Sequence, residues 1–252
     1  MDTVKLYIIS LVLFNFFETS LSIFVYAYNL NKKSKFSLRI VITCIGYCAL
    51  YSLIYYANFA IIKHYNYSIA PIEYCAFYTA IINIFVILFT YFVLFKEKRT
   101  ILLFYAIASQ MTNLIFSSLY NMITLLFNAP EIRTSILDGF YFSTFISYIL
   151  VLIIVFLSAF FINKRQNKKY SKDAFLLVKN YVLVFFILVE IIIVFLESNM
   201  RIRAYGDNII LMWLDIFKLL ICSIILLIMF FLLNWSKDIK EKIMMDKSIS
   251  II

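Results

Sequence analysis

Seven long apolar runs, and almost nothing between them, constrain this chain more than any other feature. They cover approximately Leu6 to Asn29, Leu38 to Ile62, Pro71 to Phe95, Thr100 to Phe127, Ile136 to Ile162, Ala174 to Leu196 and Asn208 to Asn234. At 1.5 Å per residue each is long enough, as a helix, to cross a hydrocarbon core of about 30 Å. With 64% hydrophobic and 15% charged residues in 252, a soluble fold would lack the interior to hide its apolar side chains. The expectation is an all-α membrane protein, a bundle of about seven transmembrane helices over residues 1–236, followed by a short cytoplasmic tail over 237–252 that is the possible start of a signalling helix. Three glycines and two prolines leave little for a many-turned β architecture, and the runs are continuous where a membrane barrel would alternate. The first run starts with almost no positive segment before it and no small-residue cleavage site after it, so it reads as a span and not as a signal peptide.

The basic residues set an expected orientation. Lys32, Lys33, Lys35, Arg39, Lys96, Lys98, Arg99, Lys164, Arg165, Lys168, Lys169, Lys172, Lys237, Lys240, Lys242 and Lys247 fall on the side of the first, third and fifth loops and the tail. Lys5, Lys63, Arg133, Arg201 and Arg203 fall on the other, while Lys179 and Lys218 lie within runs. A split of 16 to 5 places the tail in the cytoplasm and the N-terminus outside, at the cell membrane. The net charge of +9 then belongs to membrane topology, and no nucleic-acid partner is implied. The outer loops, roughly Lys63 to Ala70, Asn128 to Ser135 and Glu197 to Asp207, are too short to fold a binding domain. Tyr65, Tyr67, Tyr141, Tyr205 and Trp235 sit where interfacial aromatics are usual.

Ionisable groups inside a bilayer cost roughly 3 kcal/mol or more, so each needs a partner or a purpose. Glu18, Glu190, Asp215 and Lys218 lie inside runs. Asp215 and Lys218, three residues apart, share a helix face and can pair. Gln110, Asn113, Ser117 and Asn121 fall within an arc of roughly 80° on the fourth helix, a polar stripe that must face other helices or water. Two readings stand side by side for these eight residues. They are ligand-binding or coupling residues of a polar pocket, or they form ion pairs and interhelical hydrogen bonds that set helix register.

Catalytic machinery is not expected. Gly46, Gly139 and Gly206 cannot build a phosphate-cradling loop, and the single histidine leaves no cytoplasmic phosphoacceptor and no metal set. No cofactor is called for. His64 with Cys75 has the residue types of the His–Cys membrane peptidases that process quorum-sensing propeptides, but lies on unsuitable sides of the predicted topology. The other cysteines, Cys44, Cys48 and Cys222, read as packing residues within spans.

The Tyr-, Phe-, Ile- and Asn-rich spans, the short outer loops, the immediate N-terminal helix and the exit segment Asn234-Trp235-Ser236-Lys237-Asp238-Ile239-Lys240-Glu241-Lys242 resemble one family. It is the N-terminal membrane sensor region of histidine kinases with a GHKL-type ATPase domain, the quorum-sensing receptors of low-GC Gram-positive bacteria. The resemblance lies in layout and texture, and no ligand residue transfers with it. It implies a sensor module without its kinase, detecting a small extracellular or membrane-partitioned ligand such as a peptide. The last helix would signal to a kinase or response-regulator system, with a homodimer as a further expectation. The alternative is a transporter or permease-like subunit of an ABC exporter or immunity system.

Overall fold

A computed structural model of the chain describes residues 2–28, 30–66, 68–126, 180–204 and 207–249, with scattered positions between 150 and 164. The protein is an all-α bundle. Six long helices are described: α1 Asp2–Ala27, α2 Phe36–His64, α3 Ile69–Leu94, α4 Arg99–Leu126, α5 Asn180–Arg203 and α6 Asn208–Ile249. Five of them, α2 to α6, are long and apolar enough to cross a membrane. The described positions between 150 and 164 are helical, and the remainder of the fifth apolar run lies outside the described residues.

Local chemistry punctuates the helices where the apolar runs stop. Lys35 and Asn66 take left-handed backbone conformations (φ 56° and 51°) in the short turns flanking α2. Asp207 caps α6, its Oδ1 accepting from the backbone N–H groups of Ile209 at 3.0 Å and Ile210 at 3.1 Å. The largest departure from the sequence expectation is at the end of α5. The sequence places a loop from Glu197, yet the helix runs on to Arg203. Apolar content ends at Leu196, but i,i+4 pairing of Glu197 with Arg201 at 3.0 Å lets the helix continue through charged residues.

Helix α4 is the axis of the bundle, packed by α1, α3, α5 and α6, while α2 lies outside against α1 and α3. The difference shows in burial. Most of α4 is enclosed, including Phe104, Ile107, Ala108, Met111 and Phe116, whereas α2 buries only Tyr47, Tyr51 and Ile62. The face of α2 bearing Val41, Ile42, Ile45 and Leu53 is open, as expected of a lipid-facing helix.

Polar groups knit the interior. Asn83 on α3 accepts from Tyr51 of α2 at 2.8 Å and from Thr19 of α1 at 3.3 Å. Ser109 on α4 bonds the Tyr91 hydroxyl at 2.7 Å and donates to the Ser22 carbonyl at 3.2 Å. At one end the first and third loops meet as an antiparallel bridge between Lys32 and Phe95. The Lys33 N–H donates to Leu94 O at 3.0 Å and the Lys96 N–H to Asn31 O at 2.8 Å. Lys164 reaches the same end, its Nζ 5.4 Å from the Tyr28 ring centre. The first and third loops, which the sequence assigns to one side, therefore meet at one end of the bundle. Lys168, Lys169, Lys172 and Arg133 lie outside the described residues.

Candidate functional site

The opposite half of the bundle holds a half-open cavity of about 280 Å³. It lies between the first half of α1, the last turns of α2, the start of α3, the second half of α4, the end of α5 and the start of α6. All six long helices contribute. Leu11, Phe14, Ile72 and Val194 provide apolar wall, and polar side chains come from each direction.

Six of the eight residues singled out from the sequence line this space. Gln110, Asn113, Ser117 and Asn121 all do so, which turns the predicted stripe of α4 toward the cavity. Glu18 and Lys218 face it from α1 and α6. Glu190 is fully buried (0% exposed) beside Gln110, one turn deeper along α5 than the lining residue Val194. Asp215 is fully buried behind the wall, and its Oδ1 accepts from Asn121 Nδ2 at 3.3 Å.

The expected Asp215–Lys218 pair is one edge of a larger cluster, and the weakest edge, at 3.9 Å. Arg201 donates to Asp215 at 2.6 Å and to Glu197 at 3.0 Å, while Lys218 donates to Glu197 at 2.7 Å and to Ser117 at 3.4 Å. Two carboxylates and two cations close a loop between α5 and α6, with α4 supplying Asn121 and Ser117. Such a cluster survives at low dielectric because each charge faces an opposite one and its hydrogen-bonding capacity is largely used.

Three charged residues of the site lie outside the eight: Glu73, Glu197 and Arg201. Glu197 and Arg201 belong to the segment expected as loop, and their spacing of four was the available signal. Glu73, buried near the start of α3, follows Pro71, where a run boundary looks like an interface. Asn15 and Asn58 add further amides to the lining, Asn15 donating to the Tyr55 hydroxyl and Asn58 to Thr79 at 3.0 Å. His64 is exposed at the end of α2 with its ring edge-on to Tyr65, whereas Cys75 is buried in the cavity wall.

Not all of this polarity is satisfied. Gln110 Oε1, both polar atoms of Asn113 and Asp215 Oδ2 are buried without a hydrogen-bond partner, and the buried Glu190 carboxylate has the Gln110 side chain as its hydrogen-bonding neighbour. A buried, unpaired polar atom costs about 1–3 kcal/mol, so atoms such as these beside a cavity call for a partner within it, water or a bound molecule.

No family model, curated protein or solved structure matches the chain.

Proposed function

We propose that this bundle is a membrane receptor module that binds a small amphipathic molecule in the cavity and signals through α6 to a cytoplasmic partner. One observation carries the reading. Lys218, which lines the cavity and is tied to Glu197 of α5 at 2.7 Å, belongs to a helix that continues without interruption to Ile249. A helix of 42 residues is about 63 Å long, roughly twice a hydrocarbon core. A ligand that competes with Lys218 for Glu197 or Ser117 would favour a different packing of α6 against α4 and α5, and the far end would move with it. Differential affinity for the two packings is what transmits; equal affinity shifts nothing. The likeness in layout to kinase sensor regions supports the same reading, with a kinase or response regulator as partner.

A permease-like transporter is the second reading. The polar interior favours it, because the hydroxyl and amide groups of Thr19, Tyr47, Tyr51 and Asn83 extend hydrogen bonding inward between α1, α2 and α3. Fusing the chain to a histidine-kinase core at several helical phases separates the two. Phosphorylation that responds to culture medium from the native host supports reception. An active chimera silent at every phase, with solute uptake in vesicles that needs the cavity residues, supports transport.

A further inference from the structure

The floor of the cavity has an imbalance that selects among ligands. Gln110 and Asn113, each 3% exposed, stand three residues apart on α4 and both line the space. Glu190 lies directly beside Gln110. The Gln110 side chain is the hydrogen-bonding neighbour of the Glu190 carboxylate, and the acceptor oxygens left over, Gln110 Oε1, Asn113 Oδ1 and a carboxylate oxygen of Glu190, outnumber the one free donor, Asn113 Nδ2. A hydroxyl or peptide group brings donors and acceptors together and would leave oxygens unmet. An ammonium brings three N–H donors, no acceptor and the positive charge that a buried carboxylate lacks.

We propose that the ligand of this cavity presents a protonated primary amine, seated on Gln110 Oε1 and Asn113 Oδ1, with Glu190 as the counter-charge behind them. The inference rests on the cavity being a ligand site, as in the receptor reading. An anionic head group is disfavoured, since the carboxylates of Glu18, Glu73 and Glu197 outnumber the one lining cation, Lys218, which is already held by Glu197. A bare metal ion fits poorly, because Asn113 Nδ2 would face it with a donor and the space is far larger than an ion. A volume of about 280 Å³ is at the small end of organic-ligand pockets. The apolar wall of Leu11, Phe14, Ile72 and Val194 then takes a short hydrocarbon portion. The ligand class is a small amphipathic amine, free or as the amino end of a short apolar peptide.

Cys75, buried in the cavity wall, is a native reporter. In the full chain, reconstituted in lipid nanodiscs with Cys44→Ser, Cys48→Ser and Cys222→Ala, the rate of Cys75 modification by methyl methanethiosulfonate measures occupancy. The probes are octylamine, octanol and octanoate at neutral pH, with sodium chloride as the inorganic control. Octylammonium is expected to protect Cys75 at a concentration about tenfold or more below that needed for octanol or octanoate. Glu190→Gln should abolish this preference, and a cooperative thermal unfolding transition of the variant in the same nanodiscs shows that it is folded. Equal protection by the three probes, protection by sodium alone, or a preference that survives in E190Q overturns the amine assignment and leaves the cavity as a ligand site. No protection by any probe overturns both.

Discussion

Asp215 is held by Arg201 at 2.6 Å and by Asn121 at 3.3 Å, whereas Lys218, three residues along its own helix, stands at 3.9 Å. The order of these distances predicts an order of couplings. Arg201→Met or Asp215→Leu alone leaves a charge buried without its main partner, at a cost of about 3–5 kcal/mol. The double variant should cost less than the two single variants together, and the same should hold for Glu197 with Lys218. The Asp215–Lys218 cycle should show the smallest coupling of the three. Thermal unfolding of the purified variants in one detergent measures all of them, and a largest coupling for Asp215–Lys218 would contradict this geometry. Asn83 offers a second test. Asn83→Ala removes the acceptor shared by the Tyr51 and Thr19 hydroxyls, leaving Thr19 with Tyr47 alone, and should destabilise by about 1–3 kcal/mol. Ser118→Ala removes only a bond to the Leu114 carbonyl of its own helix and should cost much less. The sequence displayed Asp215 and Lys218 because charge inside an apolar run is conspicuous. It hid Arg201 and Glu197 because apolar content had already ended, and no measure of hydropathy sees a helix continue through charged residues.

At the scale of elements, the ends of α2, α3 and α4 lie within two or three residues of the apolar runs that foretold them, because helix and span coincide there. The stripe on α4 was legible for a related reason: amides and a hydroxyl recurring every three or four residues can share only one face, and that face meets the cavity. Which helices stand around α4 was not legible, since side chains of similar apolarity would pack in several arrangements. The continuation of α6 to Ile249 has a mechanical consequence. If α6 transmits as a rigid rod, one residue inserted after Ser236 rotates everything beyond it by about 100°, and seven residues return it to within about 20°. In the kinase chimera the one-residue insertion should alter basal phosphorylation strongly, and the seven-residue insertion should bring it back toward the parent value. Output indifferent to every insertion would mean that the extension does not carry the signal.

The whole molecule is polarised along its long axis. Lys32, Lys33, Lys35, Arg39, Lys96, Lys98 and Arg99 gather at the end where the first and third loops pair, and the cavity occupies the other half. Cationic loops resist translocation, so the basic end should stay in the cytoplasm and the cavity should lie toward the outside. This orientation matters for function, because a receptor for an external molecule needs its cavity in the outer half of the bilayer. It is testable with single cysteines in a background lacking the four native ones. A membrane-impermeant maleimide applied to intact cells should label a cysteine at Asn66 or at Asp207, both exposed at the cavity end. A cysteine at Ser34 or Lys98 should react only after the membrane is permeabilised. The reverse pattern would put the cavity in the cytoplasmic half and rule out an external ligand entering it directly. It would also mean that seven cations had crossed the membrane against the rule that governs short loops, which makes reversal the least expected outcome on physical grounds.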